Sequence, residues 1–205
     1  MLLVDIMDLV GTAAFAASGA FVAIKNKLDL FGVFVLSIIT ACGGGIIRDV
    51  IISNDPPVFF TQPKYIILIT LTALVTCLAF KHVKKLLFII QICDAIGLGV
   101  FTVLAAYKGI QLQLPIIGVL FVAVLTGVGG GIIRDMFVNK VPLVFKSEIY
   151  AMASMLGALV FYGFYGKLDT NFNIYMCIMI IFAIRMMAIH FGLNLPVVKT
   201  EKVNL

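Results

Sequence analysis

The sequence predicts an all-α membrane protein of seven transmembrane helices, arranged as two inverted three-helix repeats plus a seventh helix. Three observations lead there. Of 205 residues, 62% are hydrophobic and only 12% charged, against about 45–50% and 25% in soluble domains, and the mean hydropathy is +1.17. Apolar runs recur seven times at roughly 20 residues, enough to cross ~30 Å of hydrocarbon at ~1.5 Å per residue. Finally, motifs in the first part of the chain return later at a fixed spacing.

Taken in order, the spans fall at Leu3–Ile24, Leu30–Ile52, Tyr65–Phe80, Leu86–Tyr107, Pro115–Val138, Ile149–Tyr165 and Ile174–Phe191. The amino end carries Asp5 and Asp8 and no basic region, so the first span is expected to stay in the protein and not to be cleaved as a signal peptide. Connections such as Lys25–Asp29 are too short for a soluble domain, and the tail after Pro196 reads as a frayed end. Cys42, Cys77, Cys93 and Cys177 lie inside apolar runs without metal or redox spacing. They are expected to be buried free thiols.

The net charge of +5 and pI near 9.1 would raise nucleic acid as a partner for a soluble chain. Here Lys and Arg are scattered between apolar runs, as in cytoplasmic loops facing anionic membrane lipids. No nucleic-acid role is expected. With seven spans, one side holds Lys64, Lys108 and Lys167. The other holds Lys25, Lys27, Lys81, Lys84, Lys85, Lys140, Lys146, Lys199 and Lys202. This excess puts the second side in the cytoplasm, with the N-terminus outside and the C-terminus inside.

The repeat is the most informative feature. Asp8-Leu-Val-Gly11 returns as Asp94-Ala-Ile-Gly97, Gly32-Val33 as Gly118-Val119, Gly43-Gly-Gly-Ile-Ile-Arg-Asp49 as Gly129-Gly-Gly-Ile-Ile-Arg-Asp135, and Pro56-Pro-Val-Phe59 as Pro142-Leu-Val-Phe145, each 86 positions on and without a gap. Three spans per unit is an odd number, so the second copy enters the bilayer from the opposite side. The expected organisation is residues 1–85 and 86–168 as the two repeats, with the seventh helix and tail in 169–205.

Three consecutive glycines within a span cost a helix about 1 kcal/mol each relative to Ala. Gly43, Gly44, Gly45 and Gly129, Gly130, Gly131 therefore need a compensating role. Small residues permit close helix packing. Paired at inverted positions, they point instead to kinked, discontinuous helices two and five, whose freed carbonyls line a solute pathway.

Arg48-Asp49 and Arg134-Asp135 follow each triplet, and charges at membrane depth face a bundle interior or water. Neighbours at i and i+1 point to different sides of a helix, so each Arg is not expected to pair with its own Asp. It is expected to reach carboxylates or carbonyls on other helices, unless it snorkels to headgroups. Asp94 lies roughly 13 Å beyond Lys85 along its helix and its counterpart Asp8 sits shallower; either draws a cation or neutralises an Arg. The Thr40 and Thr126 hydroxyls replace ion hydration or bond back to their own helices. Ser18, Ser37, Tyr107 and Arg185 are weaker candidates. His82 and His190 suggest no metal site, and no nucleophile, phosphate-loop or dinucleotide motif indicates an enzyme or a cofactor.

Two Gly-Gly-Gly-x-x-Arg-Asp motifs in spans two and five resemble those of the prokaryotic trimeric intracellular cation (TRIC) channels, a family also catalogued as glycine transporters. The resemblance covers nearly the whole chain. It implies a homotrimer with an hourglass pore in each subunit between the inverted repeats, passing monovalent cations, chiefly K+ with Na+ as another permeant ion, in a bacterial or archaeal plasma (inner) membrane. The pore positions it implies are the two triplets with Arg48, Asp49, Arg134 and Asp135. The lipid-binding Lys-Glu-Val motif of animal members is replaced here by Arg48-Asp49-Val50, so phosphoinositide binding does not carry over. A secondary transporter for a small amino acid such as glycine is the competing reading, since broken inverted helices suit alternating access equally well. A purely structural membrane protein is disfavoured by the repeated charges at depth.

Overall fold

The computed structural model describes residues 2–52, 56–83, 85–146 (without the Lys146 side chain) and 149–193. Lys84, Lys199, Lys202 and the tail after Pro196 lie outside them. The described chain is all helical: α1 (Leu2–Lys25), α2 (Leu30–Ile52), α3 (Val58–Thr61), α4 (Lys64–Ala79), α5 (Leu86–Gln111), α6 (Ile116–Phe137), α7 (Leu143–Lys146), α8 (Ile149–Phe164) and α9 (Thr170–Phe191). Among the described residues, six segments are long and apolar enough to cross a membrane, counting α4 with the 3-10 turn that continues it to His82. The 16-residue α8 is shorter. Large apolar side chains cover the outside, with Leu78 and Ile117 each 78% exposed, as befits a surface that meets lipid.

Helix ends follow local chemistry that hydropathy does not register. Lys27 and Gln113, with φ of 59° and 56°, turn the chain after α1 and α5 at equivalent places in the repeat. The Asp29 carboxylate accepts from Gly32 N–H at 2.7 Å at the start of α2. α9 begins at Thr170, four residues before the expected Ile174, because the Asp169 side chain caps it by accepting from Phe172 N–H at 3.0 Å. Gly192, with φ of 60°, closes its far end.

Two short helices, α3 and α7, were not expected, and they correct the repeat. Asp49 and Asp135 are 86 residues apart, yet α3 and α7 begin at Val58 and Leu143, 85 apart, and α4 and α8 keep that spacing. One residue is therefore missing from the second connection. Pro57, and not Pro56, is the counterpart of Pro142, each accepting through its carbonyl from an N–H three residues on.

α1, α2, α5 and α6 form the centre, α4 packs on α1 and α2, and α8 and α9 pack with α5. Phe15 and Phe101, one repeat apart, stack at 5.4 Å between centroids in the middle of the molecule. A second apolar cluster joins α5, α6, α8 and α9 through Leu98, Ala123, Phe161 and Ile181.

Candidate functional site

α2 and α6 cross at their glycine triplets. A methyl group on Gly44 would overlap the Thr126 carbonyl oxygen, and one on Gly130 would overlap that of Thr40. The relationship is reciprocal, since Thr40 and Thr126 are themselves one repeat apart. Gly43 and Gly129 face the same seam, a methyl on Gly129 coming 3.2 Å from Gly44 Cα. Both helices run as hydrogen-bonded α-helix through their triplets, so the discontinuous helices expected from the sequence are not found. What compensates for the glycines is backbone-to-backbone contact, which no larger residue permits. The threonine hydroxyls bond back to their own helices, Thr40 to the Leu36 carbonyl and Thr126 to that of Val122, each at 2.6 Å.

On either side of this crossing sits a charged cluster. At the face holding the N-terminus, Asp8, Arg48, Asp49, Tyr65 and Lys108 line a cavity of about 340 Å³ that reaches Gly45. Tyr65 donates its hydroxyl to Asp8. Asp49 accepts from Arg48 Nε and Lys108 Nζ, both at 2.8 Å, and from Val58 N–H at 3.2 Å, which ties down α3. Gly45 faces this space, with only Arg48 as near as 4.0 Å to where its side chain would be.

The counterpart cluster on the opposite side is sealed. Arg134, 1% exposed, pairs with Asp94, also 1% exposed. Its guanidinium also donates to Ser18 Oγ at 2.7 Å, and Nε donates to Asp135 at 2.9 Å. Asp135 in turn accepts from Leu143 N–H at 3.0 Å, holding α7 as Asp49 holds α3. Tyr150 stands where Tyr65 stands in the first copy, its hydroxyl beside the Asp94 carboxylate and both bordering Gly131. Among the described residues a small void lies there, too small to admit a water molecule.

Each Arg therefore does pair with its own Asp, against the sequence expectation. The Cβ atoms diverge, but the long Arg side chain curls back and its Nε–H meets the adjacent carboxylate. The expectation that an Arg reaches another helix is met by Arg134 with Asp94 of α5, and the snorkelling alternative fails for this buried residue. Tyr65, Tyr150 and Lys108 were missed as site residues. The tyrosines are a repeat pair hidden by the one-residue gap, and Lys108 read only as a loop charge. Of the weaker candidates, Ser18 joins the sealed cluster and Tyr107 lines the open cavity. Ser37 bonds to its own helix at 2.8 Å. Arg185 is buried, with its guanidinium 4.5 Å from the Tyr150 ring centroid.

Comparison with known proteins bears directly on this arrangement. A family model described as glycine transporter matches residues 5–81 and again 91–166, two copies that begin 86 residues apart. The UPF0126 inner membrane protein YadS of Escherichia coli K12 is 36% identical over 201 residues, covering 95% of this chain and 96% of its own length. The Bacillus subtilis membrane protein YvgT is 37% identical over 94% of this chain and 95% of its own. The crystal structure of a prokaryotic TRIC channel in 0.5 M KCl matches with a TM-score of 0.90 at 31% identity, over 95% of this chain and 99% of that one.

This chain belongs to the prokaryotic TRIC family. The TRIC trimeric intracellular cation channel orthologue from Rhodobacter sphaeroides gives the same fold, with a TM-score of 0.90 at 26% identity over 94% of this chain and 100% of the other. TRIC-family membership makes the protein an integral membrane protein of channel type, and not an enzyme. The charged clusters thus belong to a family whose solved members are cation channels.

Proposed function

We propose that the protein is a monovalent cation channel, permeable chiefly to K+, with an hourglass pathway inside each subunit of a homotrimer. The observation that carries this reading is the open cavity that ends at Gly45 against the glycine crossing, with a charged counterpart at the equivalent place beyond it. The crossing forms the waist. In this conformation the half containing Asp94, Arg134 and Asp135 is shut, and a conducting state needs α2 and α6 to bend at their triplets and part. Gly43, Gly44, Gly45, Gly129, Gly130 and Gly131 then line the narrowest stretch. Asp5, Asp8 and Asp49 draw cations into the open mouth, while Arg48 and Lys108 offset part of that charge.

In this reading seven helices cross the membrane, residues 1–85 and 86–168 form inverted repeats, and residues 169–205 add the seventh helix and a tail. The lysine excess puts the N-terminus outside and the C-terminus in the cytoplasm of a bacterial or archaeal cell. No resident cofactor is needed; K+ or Na+ passes through.

The second reading, a transporter for a small amino acid such as glycine, draws support from two observations. One is the family model's description. The other is the mixed charge of the open cavity, together with one half open and the other shut, as alternating access requires. Proteoliposomes separate the two. A channel gives K+ flux that glycine neither saturates nor inhibits, whereas saturable glycine uptake driven by an ion gradient, with no independent K+ flux, sinks the channel reading.

A further inference from the structure

Four residues of each charged half are repeat counterparts, yet one half is open and one sealed; Lys108 joins only the open half and Ser18 only the sealed one, and α9 supplies a further asymmetry. α9 packs on α5 and α8, the elements of the sealed half. From it Arg185, 3% exposed, lays its guanidinium over Tyr150, 2% exposed. In the open half, Lys64 of its own helix stands 5.2 Å from the Tyr65 ring centroid and is exposed to solvent. A desolvated cation over an aromatic face is held far more strongly than an exposed one.

The sealed half has a further peculiarity. Asp94 Oδ2 and the Tyr150 hydroxyl are both buried with no hydrogen-bond partner among the described residues, although their counterparts Asp8 and Tyr65 bond to each other. The Tyr150 hydroxyl lies beside Asp94 but is held less closely than Tyr65 is by Asp8, and the Tyr150 ring is covered by the Arg185 guanidinium.

We infer that Arg185 is a positioning residue for the sealed half: stacked over Tyr150, it keeps the Tyr150 hydroxyl against Asp94 and the end of α6 docked, so that α9 adds to the inequality of the two halves. The inference rests on the pathway reading for its meaning, but its test reads water access and not permeation.

Val128, 4% exposed, lines the small void. Val128→Cys is placed in full-length protein whose Cys42, Cys77, Cys93 and Cys177 have been replaced, reconstituted in lipid and exposed to a water-soluble maleimide. Labelling is slow in this parent. Arg185→Met accelerates it about tenfold or more, as expected for loss of a buried cation–aromatic contact. Arg185→Lys, which keeps the cation, returns it toward the parent rate. Tyr150→Phe, which keeps the ring and loses the hydroxyl, accelerates it to a lesser degree. Parent-rate labelling in folded Arg185→Met, or equal acceleration by Met and Lys, overturns the inference. If Arg185→Met does not fold, Arg185→Gln, which also removes the cation, decides: faster labelling supports the inference, and the parent rate overturns it. Absence of K+ current alongside the predicted labelling pattern would remove the permeation reading and leave this one standing.

Discussion

At the scale of single residues, adjacent glycines do different work. Gly44 and Gly130 touch the carbonyls of the opposing helix, whereas Gly45 faces open cavity. Gly44→Ala is expected to destabilise the protein by about 1–3 kcal/mol or more, the cost of overpacking against a backbone that cannot retreat. Gly45→Ala is expected to be neutral or to stabilise by up to ~1 kcal/mol, because Ala favours helix and nothing obstructs it. Thermal unfolding in detergent compares them. Equal effects from the two variants would contradict the seam.

The arginines divide in the same way. Arg134→Met strands Asp94 in a dry site with the neutral Ser18 and Tyr150 hydroxyls beside it, an expected loss of about 3–5 kcal/mol. Arg48→Met leaves Asp49 bonded to Lys108 and Val58 N–H at the edge of a wet cavity, so about 1 kcal/mol or less is expected. Denaturation midpoints in matched detergent test this ordering. A larger loss for Arg48→Met would show that the open half carries the structural burden.

At the scale of elements, Asp49 and Asp135 each tie a short helix to the end of a long one. Asp135→Ala is expected to release α7, and amide hydrogen exchange over residues 143–146 should rise while α5 stays protected. Unchanged exchange there would mean that packing, and not the carboxylate, holds α7. These short helices were invisible to hydropathy, because four residues carry too little periodicity to register. Their absence from the sequence reading also concealed the one-residue gap, and with it the equivalence of Tyr65 and Tyr150. Six long apolar helices were readable because a bilayer demands long apolar runs, with differences at ends such as Thr170, where a polar cap decides. The triplets were legible as special positions, but composition cannot distinguish glycines that break a helix from glycines that admit a neighbouring backbone. The crossing of α2 and α6 supplies that distinction.

At the scale of the whole molecule, duplication has produced two copies of one charged site on either side of a glycine seam, and the unduplicated α9 adds to only one of them. On the proposed pathway, a passage through the subunit crosses the seam, with Gly45 at the inner end of the open half. Since Gly45 has room for a side chain, it is the place to interrogate that route. In protein lacking native cysteines, Gly45→Cys is recorded in a planar bilayer under K+ before and after a positively charged, water-soluble thiol reagent is added on the side of the open cavity. The account predicts a K+ current that the reagent reduces sharply, and that stays unchanged in the cysteine-free parent. A steady current that survives complete labelling of Gly45→Cys, or no current from folded protein at any voltage, would contradict it.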